Sequence, residues 1–309
     1  MKCIPKITVI IPCLNAKNTI QKTFDSLKNQ NYPNLECIVV DGGSTDGTNE
    51  ILDNNKELIN ICISEKDTGA ADAQNKGIKK ATGDIIGYLH SDDYYENNML
   101  DEISKAYIEN SKFDIFTYGM EIEKLSDSKV IMSSCSKNNL TLNLNNILFK
   151  HAMGHFYKRT LFQEHGYLKI HSSKNSVMYA NDREHLIRLC LLGKKNYVVD
   201  KVLYRMRSHE NSNTLSRKNI LLIRYEHIEI AENFIKEYCD SLYKFNKLKD
   251  FKAHNLSLLF TYFMLSLSVK KASETFLIGY KFKGYEWILI IITAPLRELF
   301  YRATVKKWF

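Results

Sequence analysis

IIGYLHSDD, running from Ile85 to Asp93, decides how this chain is read. An apolar run of Ile, Tyr and Leu stops abruptly at two adjacent carboxylates. Such a run reads as a buried strand. Two aspartates directly after it sit at the strand's carboxyl end, the edge at which open α/β sheets bind ligands. Paired carboxylates there suit a hard divalent cation such as Mg²⁺ or Mn²⁺, which in turn suits a phosphate. The competing reading is a polar turn that caps the next helix, because Asp is a favoured N-cap.

Working outward, strand and helix patterns alternate. Ile7 to Leu14, Leu35 to Val40, Ile59 to Ile63 and Ile115 to Met120 read as further strands. Between them, Asn18 to Asn29 carries Ile20, Phe24 and Leu27 at helical spacing, and Ala70 to Ala81 and Asn98 to Ile108 are helix candidates. Thr48 is expected to cap a short helix to about Asn54. This alternation predicts an α/β fold with a doubly wound, mostly parallel sheet flanked by helices. From about Leu125 to Asn146 the pattern weakens into an irregular stretch. Asp182 to Leu192 reads as a helix, and Tyr197 to Val199 and Val202 to Met206 as short strands. After about Arg217 turn signals nearly vanish, and Ile220 to Tyr238 and Lys249 to Val269 read as long helices. The expected division is therefore a catalytic α/β domain over 1–215 and a helical extension over 216–309.

The 309 residues carry a net charge of +8, which favours anionic partners. Hydrophobic and charged contents of 44% and 25% are ordinary for a folded protein. Cys3, Cys13, Cys37, Cys62, Cys135, Cys190 and Cys239 are scattered with no CxxC pair, which argues against structural zinc and for a reducing compartment. Met1 to Lys6 leads straight into a strand, so no secretory leader is expected. No apolar run reaches the roughly 18 residues that span a bilayer. Trp287 to Pro295 is intensely apolar and is followed by Arg297, Arg302, Lys306, Lys307 and Trp308-Phe309. That pattern fits an interfacial helix at an anionic membrane surface. A helix packed on the protein, or in a homodimer, is the other reading.

Two further segments carry chemistry. Asp41 closes the second strand and can accept hydrogen bonds from a ribose or base edge. Gly42-Gly43 after it lets a ligand approach the backbone. The glycines follow the wrong strand for a dinucleotide fingerprint, and no GK[ST] exists for a P-loop. In DTGAADAQNKGIKKATGD, Asp67, Asp72, Asn75 and Lys76 crowd the start of one helix. Asp72, Asn75 and Lys76 share a face, and a solvated Lys–Asp pair would explain them as well.

The run ITVIIPCLNAKNTIQKTFDSLKNQNYPNLECIVVDGGSTDGT, followed by DTGAADAQNKGIKKATGDIIGYLHSDD, resembles family 2 glycosyltransferases, densely over residues 5–95 and more thinly to about 215. Within the family, the second run most resembles bacterial transferases that build O-antigen or capsule polysaccharide. The resemblance implies a GT-A fold and a metal-dependent, inverting hexosyl transfer from a nucleotide-diphosphate sugar, most often UDP, to a glycan or lipid-linked acceptor. It implies no nucleic-acid partner. Such acceptors would put the enzyme in the cytoplasm, peripheral at the inner face of the plasma membrane.

Carried over residue by residue, Pro12 and Asn15 border the nucleotide and Asp41 binds uracil or ribose, with Gly43 and Ser91 in the same set. Asp67 and Lys76 lie near the base and diphosphate. Asp92 falls on the metal-binding aspartate, leaving Asp93 as helix cap or support. His90 stands where the family has an acid or Asn. Imidazole suits Mn²⁺ better than Mg²⁺, and His90 is expected to face the ribose or back the site. YANDREHLIRL puts Asp182 at the catalytic base, although Asp at a helix start is also a good cap. HAMGHFYKRT, with Gly154 and His155, resembles the acceptor side. YRMRSHENSNT brings Arg205 and Arg207 toward the diphosphate, with His209 completing the metal shell. A nucleotidyltransferase, or a degenerate sugar-nucleotide-binding subunit, is the alternative function.

Overall fold

Ile7 to Cys13 form a strand buried along its whole length. The N-terminal half of the protein is laid against it. The computed structural model describes residues 4–291 apart from 135–136, 150–153, 174–176, 210–216, 239, 267 and 285. Cys3, Cys135, Cys239, the 151–153 part of the acceptor-side segment, the 210–214 loop and the basic tail beyond Ile291 lie outside the described residues. In chain order the first elements are β1 (Ile7–Cys13), α1 (Ile20–Lys28), β2 (Leu35–Asp41), α2 (Thr48–Asn54), β3 (Ile61–Ser64), α3 (Ala70–Lys80) and β4 (Ile85–Tyr88). There follow β5 (Tyr94–Tyr95), α4 (Met99–Glu109), β6 (Ile115–Lys124), β7 (Val130–Ser134), α5 (Lys137–Leu140), α6 (Leu144–Phe149), β8 (Gly154–Lys158), α7 (Arg159–His165), α8 (Asn181–Leu191) and β9 (Asn196–Ser208). Three long helices, α9 (Arg217–Glu237), α10 (Leu242–Leu265) and α11 (Val269–Lys283), come last.

The sheet order is β3-β2-β1-β4-β8-β6-β9-β5, with β7 added to β6. β3, β2, β1 and β4 are mutually parallel, in the register Cys13↔Asp41, Asp41↔Ser64 and Ile10↔Tyr88. Their carboxyl ends therefore share one edge. β8 runs antiparallel to both β4 and β6, while β6 and β9 are parallel to each other. Ile7, Val9, Ile11, Phe24, Leu27, Ile85, Phe116 and Phe156 belong to one core under this sheet. Gly87 is required within it, because a Cβ there would meet the Phe156 ring at 2.2 Å.

Four local expectations change. The stretch from Leu125 to Asn146 is structured: an exposed edge strand, β7, pairs with β6 and two short helices follow. Its polar composition reflects that exposure. The two short strands around Asp200 are one strand, β9, with register shifts opposite Tyr118 to Met120. Thr48 is the first residue of α2 behind Gly47, and its Oγ1 accepts the Ala16 N–H at 2.9 Å. Asp93 caps nothing, since α4 begins at Met99 behind Asn98.

The chain divides into two compact units, 1–209 and 210–309. The described part of the second is helical. Ala253, Leu256 and Trp287 form one small core in it, and Leu259, Phe263 and Ala272 form another. No described helix is long and apolar enough to cross a membrane.

Glu36 staples the parallel half. Its carboxylate accepts from Thr8 Oγ1 at 2.6 Å and from Thr82 N and Oγ1 at 2.8 and 2.5 Å, with Lys6 Nζ at 2.8 Å. Burial opposes its ionisation, but these donors outweigh it and bring its pKa from 4.5 down to about 2. A carboxyl whose folded pKa is depressed contributes stability that is complete above the unfolded value and lost as pH falls through the folded one. Urea denaturation of the wild type should thus show falling stability from about pH 4.5 toward pH 2. Glu36→Gln should flatten part of that slope while lowering stability at neutral pH.

Candidate active site

The shared edge of β1, β2 and β3 forms the first part of the site. Asp41, at the end of β2, is 0% exposed. Its oxygens accept from Ser44 Oγ at 2.5 Å, Ser44 N at 3.1 Å, Gly43 N at 3.3 Å and Ser64 Oγ at 2.8 Å. A buried carboxylate needs such donors to replace lost hydration. Asp41 therefore organises the loop that follows it. Asn15 joins the same loop: it sits at φ 51°, receives Thr45 N on Oδ1 at 2.9 Å, and donates its own N–H to Ser44 Oγ at 2.8 Å. Pro12 is buried in β1 beside Val40. Gly43, at φ 92°, is exposed at the rim.

Asp67, in the β3–α3 loop, faces Gly42 so closely that a Cβ there would meet Oδ2 at 2.6 Å. Burial raises its pKa, and the charges of Asp72 and Asp41 add to the rise against the Gly69 N–H and Lys76. Lys76 Nζ bonds Lys66 O at 2.9 Å and pairs with Glu65 at 3.0 Å and Asp72 at 3.6 Å. That leaves Asp67 a partly buried acid of this loop, its carboxylate packed against Gly42.

The β4 edge and the end of β9 form the second part. His90 O accepts the Asp93 N–H at 3.0 Å, closing a turn through Ser91 and Asp92. The Asp92 side chain is 31% exposed, and His209 Nε2 lies 2.9 Å from its Oδ2. Arg207 Nε donates to Asp92 O, and Arg207 Nη2 donates to Thr19 O at 3.1 Å. The structure thus brings Asp92, Arg207 and His209 together across more than a hundred residues. Arg205 does not join them. Its guanidinium is held by Glu96 and Glu121. Asp93 is 4% exposed and turns inward, where it receives Tyr204 O–H at 2.6 Å and Arg207 N–H at 2.8 Å. The backbone N–H of His90 reaches Tyr204 Oη at 3.4 Å.

Among the described residues, no three His, Cys, Asp or Glu side chains form a metal-holding cluster. Asp92 and His209 still fit a catalytic cation. Mg²⁺ and Mn²⁺ at phosphate sites use one or two protein ligands and leave the remaining positions to phosphate and water. A carboxylate with an imidazole is a mixed donor pair that suits Mn²⁺.

Asp182 is exposed in the first turn of α8, behind Ala180, and its Oδ1 accepts the Arg183 N–H at 2.7 Å. It lies near enough to Tyr157 and His185 for its charge to act on both. His185 stacks on Phe162, and burial, then Arg188, pulls its pKa down to about 3. His155 Nδ1 lies 2.9 Å from Thr117 Oγ1. Sequence reasoning did not find the pair that ties this region to α3: Asn75 Nδ2 donates to Leu168 O at 2.8 Å and Asn75 Oδ1 accepts Leu168 N–H at 3.0 Å. An amide side chain on a buried helix face is the only sequence signal for it.

A family model described as glycosyl transferase family 2 matches residues 8–166. Glycosyltransferase GlyA of Streptococcus pneumoniae serotype 4 is 27% identical over 60% of this chain and 30% of its own length. An Escherichia coli UDP-Glc:alpha-D-GlcNAc-diphosphoundecaprenol beta-1,3-glucosyltransferase, WfaP, is 41% identical over 29% of this chain and 36% of its own. The chain therefore spans about a third of each of these relatives. In structure, S. aureus TarS 1-349 in complex with UDP-GlcNAc is similar at a TM-score of 0.68 and 18% identity, over 98% of this chain and 91% of that one. At that identity the likeness speaks for the fold, a GT-A arrangement.

Arg205→Ala should lower stability by about 1–3 kcal/mol, because Glu96 and Glu121 lose their partner. It should leave affinity for a nucleoside diphosphate within about twofold. Calorimetric titration checks this; a loss of affinity of tenfold or more would return Arg205 to the diphosphate site.

Proposed function

The chain belongs to glycosyl transferase family 2, and from that premise we propose that it is an inverting, metal-dependent glycosyltransferase. The proposed donor is a UDP-sugar, and the proposed acceptor is a hydroxyl of a glycan or lipid-linked glycan of bacterial surface polysaccharide. The observation that carries the reading is the convergence of Asp92, His209 and Arg207 at the carboxyl edge of the sheet. The Escherichia coli relative is named for a UDP-sugar donor and a diphosphoundecaprenol-linked acceptor, which supports both classes.

In this reading Gly42, Gly43 and Asp67 receive the base and ribose, with Asp41 holding their loop in shape from below. Asp92 and His209 would hold the cation, which would supply positive charge against the diphosphate. The Arg207 guanidinium, fixed to Asp92 O and Thr19 O, adds charge of the same sign near that end. Positive groups aimed at a departing diphosphate stabilise the charge that develops there. Asp182, exposed at the start of α8, accepts the acceptor's hydroxyl proton as its oxygen attacks C1 opposite the leaving group. Exposed Met264, Leu265, Val269 and Leu277 on α10 and α11, with Lys270 and Lys271 beside them, support peripheral contact with an anionic lipid surface.

Asp182→Asn is the direct test. The variant should fold and bind UDP as the wild type does, while transfer falls by about 10²–10⁴-fold. Normal turnover in a folded Asp182→Asn protein would remove Asp182 from the base role.

A further inference from the structure

We propose that Tyr204, acting through the buried carboxylate of Asp93, is the positioning residue that holds His209 against Asp92 and so sets the affinity of that pair for Mn²⁺. The inference rests on reading Asp92 and His209 as the cation pair.

Asp92 and His209 lie 117 residues apart. Two strands bring their segments side by side, and the ladder between them is short. β5 contains only Tyr94 and Tyr95, opposite Arg205 and Tyr204. A two-residue pairing offers little register of its own. Arg207 Nε on Asp92 O and Arg205 on Glu96 add to it, and two further bonds converge on one side chain. Asp93 Oδ2 accepts the Tyr204 hydroxyl at 2.6 Å, and Oδ1 accepts the Arg207 N–H at 2.8 Å. The Asp93 carbonyl in turn accepts Thr23 Oγ1 at 2.7 Å, which anchors the turn to α1. His209 follows Arg207 by two residues, so the register of Arg207 fixes where the imidazole arrives.

Tyr204 is suited to aim this contact. Its ring stacks on Tyr118 at 6.4 Å and meets Tyr95 edge-on at 5.8 Å, both inside the core. The hydroxyl is thus held by packing, and it also receives the His90 N–H at the start of the metal-side turn. One phenol touches both ends of the His90–Asp93 turn. Groups that orient metal ligands without touching the metal typically change metal affinity by about 10–100-fold when removed.

The test is Mn²⁺ affinity of the full chain with UDP present, read from the electron paramagnetic resonance of free Mn²⁺. Tyr204→Phe keeps the ring and removes only the hydroxyl, and it should weaken Mn²⁺ binding about tenfold or more. Tyr95→Phe, which loses a buried bond to Tyr88 O in the same aromatic cluster, should leave Mn²⁺ affinity within twofold. Should Tyr204→Phe fail to fold, Asp93→Leu reads the same link, since its side chain can hydrogen-bond neither the Tyr204 hydroxyl nor the Arg207 N–H; it should show the same loss. Unchanged Mn²⁺ affinity in the folded variant, alongside lost binding in Asp92→Ala, would overturn the positioning role alone. Unchanged binding in both Asp92→Ala and His209→Ala would overturn the cation pair and this inference with it.

Discussion

A carboxylate taken out of water must find hydrogen-bond donors to replace its hydration. In the first unit Glu36, Asp41 and Asp93, three of its buried acids, stand under that constraint, each less than 5% exposed. Each recruits donors from segments far away in sequence. Glu36 joins β1 to the α3–β4 turn through Thr8 and Thr82. Asp41 joins the loop after β2 to β3 through Ser44 and Ser64. Asp93 joins the turn after β4 to the end of β9 through Tyr204 and Arg207. The apolar core holds the layers together; Asp41 and Asp93 fix loops at the sheet edge where the chemistry is proposed, and Glu36 ties the opposite edge, where β1 and β2 begin.

The strands β1 to β4 were legible because each is a short run rich in β-branched residues followed by polar ones. Such runs keep their periodicity whatever packs on them. Legibility fell where the sheet stops being parallel. β8 is interleaved antiparallel between β4 and β6, and its residues, Gly154 to Lys158, carry no alternation distinct from a loop. Its place depends on Gly87 and Gly154 leaving room for Phe156 and Tyr118, a fit between distant residues. β7 was hidden for a simpler reason: an exposed edge strand buries too little to need an apolar pattern.

The site shows the same division. The segments that approach one another could be read from motif order, and Asp92, Arg207 and His209 do meet. The direction in which each side chain points could not. Arg205 and Arg207 differ by two positions on one strand, yet one is spent on Glu96 and Glu121 and the other on the turn that carries Asp92. Nothing in YRMR distinguishes them. The difference is made by acids at positions 96 and 121, which reach Arg205 only because β5 and β6 flank β9.

Asp92 and Asp93 carry this furthest. The two have the same chemistry and adjacent positions, and the fold gives them opposite duties. Asp93 is enclosed, where burial and the neighbouring Asp92 charge push its pKa well up while Tyr204 and Arg207 oppose the rise. Asp92 stays partly in solvent, with His209 as its side-chain partner. A cation bridging to phosphate needs an acid that still has free coordination sites and an open approach. Asp92 meets that requirement, and Asp93, with both oxygens engaged, does not. The doublet at the end of IIGYLHSDD is therefore one partly exposed acid, the proposed ligand, and one buried anchor. Its second acid is the means by which the strand carrying the imidazole is held to the turn carrying the first.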